Sequence, residues 1–214
     1  MKGSGATRLI KVLIVDDHPV VRMGLRTMLE SEESISVVGM AASAREAVTE
    51  LQRAQPDVVL MDLRMPEMEG TEAIAELRRI QSDVRILVLT NYEGDEYILR
   101  ALKAGAMGYL IKTAPQEEIV KAVEMVHNNI RCIPPDIARR LFDTIGREQL
   151  SQRELEVLVL VAQGMTNKEI AKRLFISDKT ARNHVVSCLL KLGANDRTEA
   201  AVAAISRGLI RLPE

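Results

Sequence analysis

The sequence predicts an α/β domain on a five-stranded parallel, doubly wound sheet, followed by an all-α domain of four helices. Three observations predict it. From Leu9 to His127, short apolar runs alternate with stretches of helical periodicity, and strands covered by helices on both faces form parallel sheets. From Ser151 onward the apolar spacing is helical only. Charge divides at the same place: residues 1–130 carry 15 Lys+Arg against 20 Asp+Glu, and residues 131–214 carry 14 against 10. The net charge of −1 is therefore a cancellation between an acidic part and a basic part, which implies two domains with different partners.

The elements follow in order. Residues 1–8 contain Gly-Ser-Gly and no periodicity, so they read as a tail. The run 10–15 is an apolar strand that stops at Asp16-Asp17. Residues 19–29 place Val20, Val21, Leu25, Met28 and Leu29 at helical spacing after Pro19. Strands at 35–40, 58–61, 85–89 and 107–111 alternate with helices at 44–52, 71–79, 95–103 and 116–127. Residues 128–149, with Asn128-Asn129 and Pro134-Pro135, form a linker with room for a short helix at 136–143. The helices of the second domain fall at 151–163, 167–174, 178–192 and 197–207, with Gly164 at a C-terminus and Ser177 as an N-cap. The domains are thus 9–127 and 150–212.

Composition excludes several classes. A chain of 214 residues that is 47% hydrophobic and 28% charged has enough apolar material for a core. No run reaches the ~18 apolar residues of a membrane span, and the N-terminus has no signal-peptide core. Two cysteines, Cys132 and Cys188, are too few for a disulfide framework or a zinc site. The expected compartment is the cytoplasm.

In a parallel sheet the ligand site lies beyond the carboxyl ends of the strands. The residues there are Asp16, Asp17, Asp62, Thr90 and Lys112. A single Asp at a strand end is ordinarily a helix cap; such residues at several matching ends describe a site. Converging carboxylates need a countercharge, and an all-oxygen donor set selects Mg²⁺ over zinc. With the metal in place, one carboxylate can accept a phosphoryl group while the Lys ammonium and the Thr hydroxyl complete the cradle. His18 beside the acidic pair reads as a helix-start residue sooner than as a ligand.

On these motifs, residues 10–127 resemble the receiver domain of a two-component response regulator. The matching residues are Asp16-Asp17, Asp62 with Met65-Pro66 and Gly70, Thr90, and the run from Lys103 to Lys112 that contains Tyr109. The resemblance implies that Asp62 is the phosphoacceptor, loaded from a sensor histidine kinase. Asp16, Asp17, Asp62 and the Arg64 backbone carbonyl would hold Mg²⁺. Lys112 would pair with the phosphoryl oxygens, and Thr90 and Tyr109 would be the switch residues. Arg64 and Tyr92 flank the acceptor, where side chains influence phosphoryl lifetime. Thr113-Ala114 departs from the family's usual acidic residue or proline after the lysine.

Residues 166–192 read as a helix-turn-helix from spacing alone. Ile170, Ala171 and Leu174 face inward, Phe175-Ile176-Ser177 turns, and Ala181, Val185, Cys188, Leu189 and Leu192 form the buried face of the next helix. The opposite face shows Lys179, Arg182, Asn183, Val186 and Ser187, types that read major-groove edges. With Leu150–Leu158, Gly164, Thr166–Ala171 and Lys191-Leu192, this region resembles the LuxR-type DNA-binding domain, and the whole chain a NarL/FixJ-type response regulator. The resemblance places Arg182, Asn183 and Val186 toward bases. Asn167, Lys168, Ser177, Lys179, Thr180 and Lys191 become backbone contacts. It further implies a homodimer when phosphorylated, promoter half-sites in double-stranded DNA, and RNA polymerase as a further partner.

The expected function is control of transcription by phosphorylation of Asp62, in a regulator and not an enzyme. A phosphohydrolase using an aspartyl-phosphate would need a general acid two residues after the nucleophile, where Arg64 stands. The alternative is a signalling adaptor acting by protein–protein contacts only, which predicts no salt-sensitive DNA binding.

Overall fold

A computed structural model shows two compact units. It describes residues 9–65, 68, 70–91, 94–145 and 148–210; the tail at 1–8, Pro66 and Tyr92 lie outside the described residues. In the first unit β1 (Ile10–Val15), β2 (Ile35–Ala41), β3 (Val58–Met61), β4 (Arg85–Thr90) and β5 (Gly108–Ile111) form one sheet in the order β2-β1-β3-β4-β5. Every neighbouring pair is parallel. The helices are α1 (Pro19–Glu30), α2 (Ala44–Ala54), α3 (Gly70–Ile80), α4 (Asp95–Ala104) and α5 (Gln116–His127). The doubly wound fold is the one the alternating pattern predicts. Helix α2 runs two residues past its expected end because the chain leaves it only at Gln55, whose φ of 47° is left-handed.

Strand residues alternate between two packed layers, as the period of two requires. Val12, Ile14, Val58, Leu60, Leu87, Leu89 and Leu110 form one core with Leu29 of α1 and Ile119, Val123 and Val126 of α5. Leu13, Val15, Val59, Met61, Ile86 and Val88 face the other way and are equally buried, as are Leu51, Ile74 and Leu77 of α2 and α3. Each such aliphatic side chain contributes about 1.5–3 kcal/mol relative to exposure. The register runs Val15–Met61–Val88–Tyr109 across four strands, so β1, β3, β4 and β5 end close together. The strand order reverses between β1 and β3, and the crevice opens beyond that point.

The β5 edge is closed by the chain that follows α5. The Tyr109 N–H donates to the Cys132 carbonyl at 2.9 Å, and the Cys132 N–H donates to the Met107 carbonyl at 3.1 Å. A Cβ on Gly108 would lie 2.7 Å from Leu87 Cδ1 and 3.0 Å from the Cys132 carbonyl oxygen. Glycine is thus what allows this approach. The helix α6 (Pro135–Ile145) follows, where the sequence left room for one.

The second unit contains α7 (Gln152–Ala162), α8 (Asn167–Leu174), α9 (Asp178–Leu192) and α10 (Arg197–Ser206). Ser151 and Thr166 begin α7 and α8 with capping boxes closed by Glu154 and Glu169, which satisfy backbone donors that a helix start leaves free. Phe175, at φ 54°, ends α8 and leads through a three-residue turn into α9, capped by Ser177. Val157, Leu160 and Val161 of α7 pack with Ile170, Ala171, Ala181 and Val185. A second cluster joins Leu158, Cys188, Leu192, Ala200, Ala204 and Ile210. Ala200 and Ala204 of α10 are therefore spent on packing inside the domain.

Candidate functional site

The crevice of the first unit is built from strand ends. Asp16 follows β1, Asp62 follows β3, Thr90 ends β4 and Lys112 follows β5. Two backbone bonds hold these ends level: Asp62 N–H to the Val15 carbonyl and Lys112 N–H to the Thr90 carbonyl, each 2.9 Å. Asp16, Asp62 and Thr90 are 1–3% exposed. The Lys112 ammonium sits 2.5 Å from an Asp16 oxygen and 2.6 Å from Asp62 Oδ2. Burial by itself would push that ammonium down, but its hydrogen bonds to Asp16 and Asp62 outweigh burial and hold its pKa above the usual lysine value.

Asp62 Oδ1 accepts from the Arg64 N–H at 3.1 Å. The Thr90 hydroxyl oxygen is buried and has no hydrogen-bond partner among the described residues. Tyr109, on the register line beside Val88, is fully buried. Asp16, Asp62 and Lys112 are thus in direct contact, while Thr90 and Tyr109 are buried on the neighbouring strands. Two further residues shape the loop after β1. The Arg22 guanidinium donates to the Asp16 carbonyl. The His18 ring places Nδ1 2.7 Å from Asp17 Oδ1 and 3.4 Å from Asp16 Oδ1. His18 also occupies the N-cap of α1, with no side-chain cap bond, so it takes the helix-start place and faces the acidic pair as well. Arg22 was visible in sequence only as a charge on a helix.

Asp16, Asp17, His18 and Asp62 offer ligand atoms within 4.8 Å of one another. Three carboxylates facing one lysine leave a negative excess, and their oxygens suit a hard divalent cation. The residues fit Mg²⁺.

In the second unit Arg182, Asn183 and Val186 are exposed on one face of α9, Val186 at 48%. Lys168 and Lys179 are exposed too. Arg182 lies 3.6 Å from Asp178, one turn back. The Ser177 Oγ accepts from Thr180 N–H at 3.0 Å and pairs with Thr180 Oγ1 at 2.7 Å, so both hydroxyls take part in the cap. Asn167 Oδ1 is buried without a hydrogen-bond partner among the described residues. Two residues depart from the simple face pattern. Ser187 is half-buried and donates to Glu154 Oε1 at 2.5 Å, and Lys191 donates to Glu154 Oε2 at 2.9 Å. Spacing along α9 puts Ser187 on the outer face, but it does not show that α7 supplies a buried acceptor there.

These two sites, on these two folds, define a domain with an acidic crevice at its strand ends joined to a helix-turn-helix domain. Residues 12–124 match the response regulator receiver domain family, and residues 148–204 match the bacterial regulatory proteins of the luxR family. Among relatives, the transcriptional regulatory protein LiaR of Bacillus subtilis is 39% identical over 94% of this chain and 100% of its own length. The response regulator protein VraR of Staphylococcus aureus is 36% identical over 94% and 99%. Among solved structures, the response regulator ChrA of a heme-sensing two-component system aligns with TM-score 0.57 at 38% identity, covering 94% of this chain and 99% of that one. An RcsB–DNA complex aligns with TM-score 0.70 at 29% identity, covering 93% and 99%. The chain belongs to the two-component response regulators with a LuxR-type DNA-binding domain. Among the described residues no helix is long and apolar enough to cross a membrane.

Proposed function

We propose that this response regulator accepts a phosphoryl group on Asp62 from a sensor histidine kinase in the cytoplasm and thereby controls sequence-specific binding to promoter DNA. The observation that carries the reading is the Lys112 ammonium bridging Asp16 and Asp62 at the ends of three strands. An Asp62 oxygen attacks phosphorus, the bond from phosphorus to the donor imidazole breaks, and the nitrogen keeps the electron pair. Asp16, Asp17, Asp62 and the Arg64 carbonyl would hold Mg²⁺, which when bound neutralises phosphoryl oxygens. Lys112 turns from the Asp62 carboxylate to a phosphoryl oxygen, with which its ammonium forms a charge-assisted hydrogen bond. The orphaned Thr90 hydroxyl donates to another. The acyl phosphate carries about −1.5 to −2 in place of the carboxylate's single negative charge and sets three strong acceptor oxygens in the buried crevice, which draws in the ends of β4 and β5, where Thr90 and Tyr109 act as the switch.

In the second unit Arg182, Asn183 and Val186 read base edges. Asn167, Lys168, Ser177, Lys179 and Thr180 hold the phosphate backbone, and phosphorylated chains pair on half-sites. The role is regulatory, in keeping with the relatives named as transcriptional regulators; RNA polymerase is a further partner of such a regulator. The test is acylphosphate formation from acetyl phosphate with Mg²⁺, read by phosphate-affinity electrophoresis, together with DNA binding. Wild type is expected to be modified and to bind DNA more tightly afterward. Asp62→Asn is expected to do neither, and stimulated binding by Asp62→Asn would sink the reading.

A further inference from the structure

Four polar or charged residues are buried among the described residues, and three of them, Asp16, Asp62 and Thr90, line the phosphoryl crevice. The fourth is Glu154, in the DNA-binding unit. Its carboxylate accepts from the Ser151 N–H at 2.6 Å, from Ser187 Oγ at 2.5 Å and from Lys191 Nζ at 2.9 Å. Its backbone carbonyl accepts from Cys188 Sγ at 3.4 Å. Ser187 and Lys191 stand one turn apart on α9, so a single residue of α7 grips the DNA-reading helix at two levels.

The grip fixes the rotation of α9 about its own axis. A buried carboxylate without donors is costly, and these two donors reach it in one setting of the helix. At a radius of about 5–6 Å, a rotation of about 20° moves a side chain by about 2 Å, more than a hydrogen bond to a base edge tolerates. Val186 is the residue directly before Ser187, and Arg182 and Asn183 lie one turn further back, so their aim is set from the same anchor. Lys191 also donates to the Gln149 carbonyl at 3.1 Å, and its side chain is only 19% exposed. Two of its three donors are committed inside the protein.

We propose that Glu154 is a positioning residue for the DNA-reading helix and that Lys191 is spent on holding it, not on the phosphate backbone. This rests on the DNA-binding reading above. The test uses the full chain, fluorescence anisotropy across a salt series, a duplex selected by the wild type from a random pool, and its scrambled counterpart. For Lys191→Met the dependence of log affinity on log salt for the scrambled duplex should equal that of the wild type. The preference for the selected duplex should fall about tenfold, and Glu154→Gln should lose preference alike. Lys168→Met, an exposed control, should lower the salt slope by about one and leave the preference unchanged.

A slope reduced by about one in Lys191→Met overturns the proposal, because Lys191 then reaches phosphate. Equal loss on both duplexes overturns it too, because the role is then only structural, and so does an unchanged preference. Should the charge left by a single substitution unfold the unit, the double variant E154Q/K191M, with no unpaired charge, is read in the same two ways. A wild-type chain that binds no duplex in a salt-sensitive way overturns the DNA-binding reading itself.

Discussion

A Cβ on Gly70 would lie 2.4 Å from the Cα of Leu63 and 2.8 Å from its carbonyl oxygen, to which the Gly70 N–H donates at 3.1 Å. The first turn of α3 is thereby pressed against the segment that carries Asp62. Gly70→Ala forces these backbones apart, with an expected loss of about 1–3 kcal/mol in urea unfolding and slower phosphorylation of Asp62. The two thiols are inert by comparison. Burial pushes Cys188 up to about 12, with the Glu154 charge adding to it, and burial also raises Cys132. A raised thiol pKa means less thiolate at neutral pH. Both cysteines should react with a disulfide reagent more slowly than a free cysteine at pH 7.5, with Cys188 the slower. Asp16, Asp62, Thr90 and Lys112 were legible in sequence because each stands at the end of an apolar run. Arg22 was not, because its acceptor is a backbone carbonyl that no residue pattern marks.

Glu154 shows where reading by element stops. Ser151 and Glu154 close a capping box at the start of α7. The same carboxylate also meets Ser187 and Lys191, 33 and 37 residues away, and only the packing of α7 against α9 brings them within reach. Burial would raise this carboxyl, but donation from Ser187, the Ser151 backbone and Lys191 overrides it and brings the pKa to about 2. A carboxyl depressed in the folded state stabilises above its unfolded pKa and loses that contribution as pH falls. The helical unit should therefore be undisturbed by this group at pH 5 and lose its contribution between about pH 4.5 and pH 2. The carboxyl carbon shift of Glu154 in a ¹³C-labelled chain is expected to titrate near the lower value; a midpoint near pH 4.5 would refute the anchor. Helix α10 carries a similar lesson. Resemblance to the LuxR-type domain implies a dimer seam for its small residues, whereas Ala200 and Ala204 are buried inside the domain.

Across the molecule, the split of charge between an acidic and a basic part was readable by counting, but its availability to a partner was not. Arg153, Arg197 and Arg207 donate to the carbonyls of Leu174, Met165 and Leu192 at 2.7, 2.7 and 3.1 Å; those of Leu174 and Leu192 are acceptors that helix ends leave free, and that of Met165 lies in the loop before α8. With Lys191 held as well, the exposed cations of the helix-turn-helix are Lys168, Lys172, Arg173, Lys179 and Arg182. Neutralising one phosphate with each gives a salt slope no steeper than about −4.5 per DNA-binding unit, measurable by titration on a random duplex. The strand bridge between Gly108 and Cys132 bears on where the chain can be cut. A fragment stopped just after α5 would strip β5 of its cover and leave the Tyr109 N–H and the Met107 carbonyl open to another copy. Sedimentation should find that fragment self-associating and one extended through Pro134 monomeric. The receiver, taken as a piece that stands alone, ends at a hydrogen bond beyond its last helix.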